Sequence, residues 1–274
     1  MNMTGQLEIA NCSNVGQKRP HNEDSTGSDV ALGLAVLADG MGGYKAGEVA
    51  SAIAVTTIMH EVQQGLQRFR HGQVDSETGY RQESLLLKKA VTKSNESIFR
   101  VAQTEAACRG MGTTVVVVLF YDDQISIAHV GDSRLYRLRG DTLQQVTSDH
   151  SLIQELVNRG LYSRTEAVAN TPKNLVTRAL GIESTVDIDI LEDEVQEGDI
   201  YMLCSDGLND MVDDEEIRLT LRKYSANLVQ SAQELVRLAN KKGGRDNISV
   251  ILVRKSETAA QNGSITRKLL NFFS

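Results

Sequence analysis

Leu34-Ala35-Val36-Leu37-Ala38-Asp39-Gly40-Met41-Gly42-Gly43 is the stretch on which the fold turns. From Val30 to Ala38 the chain carries almost no polar residue, the pattern of a strand buried on both faces. The run stops on a carboxylate followed by three glycines in four positions. Asp39 therefore stands where a core strand reaches the surface. An ionised carboxylate there is costly unless something compensates it, and the glycines let a backbone approach whatever does so. Strand, carboxylate and open loop together predict a site.

Working outward, Gln6 to Cys12 alternates polar and apolar residues and reads as a half-exposed strand, followed by a polar loop from Ser13 to Ser28 that contains Arg19-Pro20-His21-Asn22-Glu23-Asp24. Taken alone, that loop is an ordinary charged turn. After the glycines, Ala46 to Gln63 places Val49, Ala50, Ile53, Ala54, Ile58 and Val62 on one helical face, and a second helix, Gln82 to Thr104, does the same with Leu87, Val91, Ile98 and Ala102. The period then changes. Thr113 to Phe120 is β-branched, Gln124 to Val130 alternates, and Leu135 to Leu138 continues past Gly131-Asp132-Ser133-Arg134, so an antiparallel meander is expected, with turns at 121–123 and 139–141.

Between Ser148 and Asn174 the strand pattern lapses. Ser151 to Arg159 fits a short amphipathic helix, Gly160 to Pro172 reads as irregular, and so long an aperiodic stretch predicts a flap rather than a connector. Strands resume at Thr185 to Leu191 and Asp199 to Cys204, the second ending on Ser205-Asp206-Gly207. Asp213 with Glu216 predicts a capping box opening a helix to about Leu221. A further helix through Leu228, Ala232, Leu235, Val236 and Ala239 leads to Gly243-Gly244-Arg245-Asp246-Asn247, and a buried strand, Ile248 to Val253, closes the domain. The reading is one domain over 5–255, with the flap at about 148–174, and a tail over 256–274 whose basic amphipathic end is expected to dock on its own domain rather than on a membrane.

Composition sets the outer bounds. A chain of 274 residues with 41% hydrophobic and 24% charged content can bury a sizeable core. Its net charge of −7 argues against nucleic acid as a partner, since that binding needs a basic face. Cys12, Cys108 and Cys204 are odd in number and far apart, as expected of reduced thiols in the cytoplasm. No apolar run reaches the length of a membrane span and no signal-peptide pattern opens the chain, so a cytoplasmic monomer without stable membrane insertion is expected.

Asp39, Asp132, Asp206 and Asp246 each lie at the boundary between an apolar strand and a glycine-containing turn. One such Asp is ordinary turn chemistry. Four of them, joined by Glu23-Asp24, are a pattern: if the strand ends share one edge, the carboxylates repel and raise one another's pKa values. Divalent cations relieve that repulsion, and oxygen ligands without a Cys or His cluster select Mg²⁺, Mn²⁺ or Ca²⁺. A bridging carboxylate with others around it suits two ions about 3.5–4 Å apart. Other chemistries fail on residues. Lys18, Thr114 and Asp210 stand where a cysteine phosphatase needs arginine, there is no G-x-S-x-G elbow, and Leu191 spoils the aspartyl-nucleophile pattern begun by Asp187-Ile188-Asp189, which is expected to be a surface strand. Lys45 occupies the third glycine position of a dinucleotide fingerprint, and Asp39 would repel a pyrophosphate.

Arg19 through Asp24, Ala38 through Gly43, Gly112-Thr113-Thr114, Val130 through Arg134, Ser205 through Leu208 and Gly244 through Asn247, in that order, resemble the bacterial branch of the metal-dependent protein phosphatases of type 2C. The resemblance runs from about Leu7 to Arg254. It implies an α+β fold, a four-layer α-β-β-α sandwich of two antiparallel sheets flanked by helices, with a flap beside a metal cleft. It also implies hydrolysis of phosphoserine and phosphothreonine on proteins by a water activated between two Mn²⁺ or Mg²⁺ ions, without a phosphoenzyme. By position, Asp24, Asp39, Asp206 and Asp246 resemble the ligands of the two ions, with Asp39 bridging and Gly40 lending its carbonyl. Asp132 with Asp206 resembles a weaker third site, Glu23 would act through a water, and Arg19 resembles the phosphate clamp. Partners would be phosphorylated proteins, a Ser/Thr kinase and its substrates. Met41 stands where some eukaryotic members have histidine, so the general acid is expected to be a water; His129, inside a strand, is expected to be a satisfied core residue. A noncatalytic phosphoprotein-binding module and a small-molecule phosphatase are the alternatives on this fold.

Overall fold

The computed structural model describes residues 3–43, 45–68, 71–172 and 175–256. The tail reading for 257–274 lies outside the described residues. Two antiparallel sheets form the centre. One runs in the order β1 (Leu7–Asn14), β11 (Ile248–Lys255), β10 (Ile200–Cys204), β7 (Arg134–Arg139), β8 (Thr142–Gln145). The other runs β2 (Asp24–Asp29), β3 (Leu34–Met41), β5 (Val115–Tyr121), β6 (Gln124–Val130), β9 (Asp189–Glu194), with the two-residue β4 (Gly112–Thr113) against the end of β3.

The period of two along β3 explains the layering. Leu34, Val36 and Ala38 face outward onto α1 (Ala46–Gly65) and α2 (Gln82–Thr104), joining Ala50, Ile58, Val62, Leu87 and Val91 in one cluster. Ala35 and Leu37 face inward, packing with Val116, Val118 and Ile127 of their own sheet and Leu203, Tyr201, Ile251 and Val253 of the other. The outer face of that second sheet carries Met202, Val250 and Leu252 against α6 (Asp214–Lys223) and α7 (Leu228–Lys241). A strand with helices on one side and a second sheet on the other has no wet face, hence the unbroken apolar run. The result is the four-layer α-β-β-α sandwich of an α+β fold.

Several elements depart from the sequence reading. β3 begins at Leu34 rather than Val30, because Val30 to Gly33 form the hairpin turn, closed by the Gly33 amide donating to the Val30 carbonyl at 3.2 Å. The polar loop from Ser13 to Ser28 ends in a strand, β2, which has no apolar residue to betray it. It forms because its backbone pairs with β3 at the sheet edge, bringing Asp24 directly opposite Asp39. The expected meander is split: β5 and β6 form a hairpin in one sheet, β7 and β8 a hairpin in the other. Gly131-Asp132-Ser133 carries the chain across, and Gly131 sits at φ +111° against Thr114, a backbone state that side-chain-bearing residues rarely adopt. On α1 the buried stripe is Ala46, Ala50, Ala54, Val55, Ile58 and Val62, so Val49 is exposed and Ile53 only partly buried.

In the stretch read from sequence as a flap, α3 (Leu152–Asn158) is capped by Ser151, whose Oγ accepts from the Gln154 amide. The stretch read as irregular holds a second helix, α4 (Arg164–Asn170), opened by a Ser163–Glu166 capping box. Seven residues with one buried side chain, Ala167, are too few to show a helical period. β9 starts at Asp189, not Thr185, and α6 opens with the Asp213–Glu216 capping box. Among the described residues, no helix is long and apolar enough to cross a membrane.

Leu203 lies fully buried between the sheets. Leu203→Ala should lower unfolding free energy by about 2–5 kcal/mol, read from the urea midpoint; an unchanged midpoint would show that the two sheets do not share a packed interior there.

Candidate metal centre

Both sheets deliver their strand ends to the same end of the sandwich. Asp24 opens β2, Asp39 lies near the end of β3, Asp132 follows β6, Asp206 follows β10 and Asp246 precedes β11. One cleft of about 190 Å³ is lined by Arg19, Glu23, Asp39, Gly40, Met41, Gly42, Thr114, Asp132, Val176, Asp206 and Asp246. Asp24 lies behind Asp39 as its cross-strand partner. The eight residues singled out from sequence thus occupy one locality. A second cavity of about 200 Å³ shares Asp132 and Asp206 and is also lined by Ser151, Ile153, Arg164 and Val168.

Polar side chains that the sequence reading passed over hold this arrangement in place. The Asn247 side chain accepts from the Glu23 amide (2.8 Å) and donates to the carbonyls of Val15 and His21 (2.9 Å each), pinning the loop that carries Arg19 and Glu23. Ser205 donates to Asp24 Oδ2 at 2.8 Å and accepts from the Ser249 amide. Around Asp39, its amide donates to Thr114 Oγ1, while Thr113 Oγ1 and the Thr114 amide donate to its carbonyl. Gly40 is pressed so close to α1 that a Cβ would lie 2.1 Å from the Gly47 carbonyl oxygen. Asn247 was visible in the sequence, one residue after Asp246. Its role was not, because its three partners lie more than 220 residues away in the chain.

Charge is badly balanced in the cleft. Burial, then the charges of Asp24, Asp206, Asp132 and Asp246, hold the Asp39 carboxyl well above the usual carboxylate range. Burial, then Asp132 and Asp246, do the same to Asp206. Asp24 is pushed up to about 6 by burial despite hydrogen bonds from Ser249 and Ser205, and Asp132 to about 6 by burial and Asp149. Burial also raises Glu23. Among the described residues lining the cleft the one cation is Arg19, which donates from Nη2 to Asp246 Oδ2 at 2.6 Å with about half of its side chain exposed. A single guanidinium at the rim leaves the floor uncompensated. Asp24 Oδ1 is buried and accepts no hydrogen bond among the described residues, and every candidate donor is an oxygen. Such a donor set fits a hard divalent cation, Mg²⁺ or Mn²⁺, and not a soft one.

His129 differs from expectation. It is fully buried in β6, but among the described residues neither ring nitrogen has a hydrogen-bond partner of good geometry, so it is not the satisfied core residue expected. The Asp187-Ile188-Asp189 stretch leads into β9, where Asp189 pairs across the strands with His129.

Fold and cleft together define a class: an αββα sandwich with an acidic, cation-seeking site at one end. Residues 16–252 match the family model described as Protein phosphatase 2C, and the chain belongs to that family. It is 37% identical over 258 residues to "Protein phosphatase PhpP" of Streptococcus pneumoniae, covering 93% of this chain and 100% of that one. It is 36% identical over 244 residues to "Serine/threonine phosphatase stp" of Listeria innocua, covering 88% and 93%. Among solved structures, the Mycobacterium tuberculosis serine/threonine phosphatase PstP/Ppp superposes with a TM-score of 0.80 at 36% identity, over 92% of this chain and 99% of that one. A structure of the PstP catalytic domain described as a complex with 2 manganese ions gives a TM-score of 0.78 at 35% identity, over 92% and 99%.

The raised carboxyls carry a sign that can be tested. A carboxyl whose folded-state pKa exceeds its unfolded value near 4 binds more protons when folded, so without cations stability falls as pH rises from about 4 through 6 and beyond. Asp206→Asn removes one repelling charge. In chelator, its Tm should exceed that of the parent by more at pH 7.5 than at pH 5; a difference independent of pH would mean that the Asp206 charge is not repelled.

Proposed function

We propose that this protein is a metal-dependent protein serine/threonine phosphatase that hydrolyses phosphoserine and phosphothreonine on other proteins without a phosphoenzyme. The observation that carries the proposal is the convergence of Asp39, Asp132, Asp206 and Asp246 from both sheets on one cleft, with Asp24 opposite Asp39 behind it and Arg19 at the rim. Relatives named as serine/threonine phosphatases over nearly the whole chain support it.

Asp24, Asp39, Asp206 and Asp246 would hold two Mn²⁺ or Mg²⁺ ions, with Asp39 shared between them and Gly40 contributing its carbonyl. Asp132 with Asp206 would hold a third more weakly, and Glu23 would act through a water. When bound, such cations lower the pKa of water towards neutrality and offset the charge of the phosphoryl oxygens. The chain's own residues do the positioning. Arg19, released from Asp246, presents a planar fork to two phosphoryl oxygens, where lysine would offer only a point charge. The Asn247 bonds to Glu23, Val15 and His21 hold the Arg19 loop against the sheet, so that fork keeps its aim on the phosphorus. The acidic floor repels a substrate with uncompensated negative charge, which ties turnover to cation loading.

The protein-substrate reading is favoured over a small-molecule phosphatase by the openness of the cleft along Met41 and Val176, which continues into a groove of about 500 Å³ lined by Val176, Thr177, Ala179, Ile182 and Val186. An extended chain fits a groove of that kind; a nucleotide needs a closed pocket. A noncatalytic binding module is disfavoured because every acidic position is retained. We assign the phosphatase unit to 5–255, with 148–174 as its flap, acting as a monomer on the substrates of a Ser/Thr kinase. Three unpaired cysteines, Cys204 among them buried, support a reducing compartment, the cytoplasm.

Asp39→Asn should abolish turnover of a phosphothreonine peptide in manganese while the fold, read by circular dichroism, is retained; turnover within tenfold of the parent would remove the metal-centre reading. Arg19→Ala should raise KM about tenfold or more with a smaller change in kcat, and unchanged steady-state kinetics would take the clamp role away. The parent should turn over the peptide, lose activity on chelation, and leave nucleotide phosphates nearly untouched.

A further inference from the structure

Outside the acidic cleft lies a second group of potential ligands with different chemistry. His129 from β6, His150 at the base of the flap and Asp189 from β9 each bring one ligand atom to within 4.8 Å of the others. His129 and Asp189 are cross-strand partners, and the two imidazole rings stand 4.6 Å apart, tilted by 41°. His129 is fully buried, and among the described residues neither of its nitrogens has a hydrogen-bond partner of good geometry, a state native cores rarely tolerate unless something pairs with the ring. Burial holds His129 down at about 4 and also lowers His150, so at neutral pH both rings are uncharged, the form in which imidazole binds a metal.

We propose that His129, His150 and Asp189 form a binding site for a transition-metal dication of the zinc class, separate from the all-oxygen cleft. Two imidazoles and a carboxylate, with a water as fourth ligand, are a common N/O set for such ions. Metal–ligand bonds of about 2.0–2.1 Å in a tetrahedron put ligand atoms about 3.4 Å apart, so the three close by on the order of 1 Å on binding.

Two features of the site set the terms of occupancy. Arg178 already stands there as a cation, its Nη1 3.0 Å from Asp189 Oδ1 and 3.4 Å from His150 Nε2. Its side chain is 40% exposed and can swing into solvent, so the guanidinium is a competitor that a dication must displace. His150 Nδ1 accepts the Gly131 amide at 3.1 Å, which puts the ring proton on Nε2, 3.2 Å from Asp189 Oδ2. Coordination through Nε2 transfers that proton to Nδ1 and gives up the Gly131 hydrogen bond. A metal here would thus tie β6, β9 and the flap base together while loosening the backbone one residue before Asp132.

The test is cobalt(II) added to the full chain saturated with manganese, because cobalt in a four- or five-coordinate nitrogen-containing site absorbs visible light far more strongly than cobalt among octahedral oxygens. One equivalent should produce the strong band, and zinc should then displace it. Asp189→Asn, at a half-exposed position, should abolish the band without disturbing the core, and His129→Asn should do the same if it folds. Arg178→Ala should tighten cobalt binding at least tenfold, which no adventitious surface site would do. Absence of the strong band, its persistence in Asp189→Asn, or an affinity unmoved by Arg178→Ala would each overturn the proposal. None of these readings depends on catalysis, so the phosphatase reading can fail without touching this one, and the reverse.

Discussion

Repulsion among carboxylates that the fold forces together is the constraint on which the rest of this structure depends. Asp39 is held at the end of a strand buried on both faces, with Asp24 opposite it and Asp206, Asp132 and Asp246 near enough to raise its pKa. Among the described residues no side chain in the cleft neutralises that floor, since Arg19 engages Asp246 at the rim. A protein selected for stability alone would have placed neutral side chains there. Keeping five acids at one end of a sandwich is tolerable only for a chain whose working state includes cations.

Holding repelling groups in place requires a rigid frame, and the sandwich provides it. The acidic residues sit at strand ends whose backbones are fixed by long antiparallel ladders, β1 with β11 over eight pairs and β5 with β6 over seven. Where the chain leaves the strands, side chain to backbone hydrogen bonds take over: Asn247 for the Arg19 loop, Ser205 for Asp24, Thr113 and Thr114 for Asp39. The frame is therefore pinned where charge is concentrated, while two seven-residue helices with little buried surface lie beside the cleft.

Two kinds of donor set also separate within one fold. Oxygen-only groups collect at the strand ends, and a mixed imidazole and carboxylate group is formed by His129, His150 and Asp189. Gly131 connects the two, since its amide bonds His150 and its successor is Asp132. Hard and borderline cations would be sorted by ligand chemistry rather than by affinity alone.

What could be read directly from the chain was whatever repeats with the period of a regular element or stands at its end. The apolar run of β3, the exact bounds of α2, the β5–β6 and β7–β8 turns, the Asp213 capping box and the row of strand-terminal aspartates are all local patterns, set by side-chain alternation and turn chemistry within a few residues. Elements without such a pattern went unseen: β2 has no apolar residue, α4 is shorter than two helical periods, and the passage from β6 to β7 looks like a hairpin until Gly131 carries it into the other sheet. Only the folded chain could decide that Asp24 faces Asp39, that Asn247 reaches back to Glu23, and that His129 is buried with no well-formed hydrogen bond to its ring among the described residues. Those are contacts between residues far apart in sequence or states of burial, and both depend on packing that no short window of residues encodes.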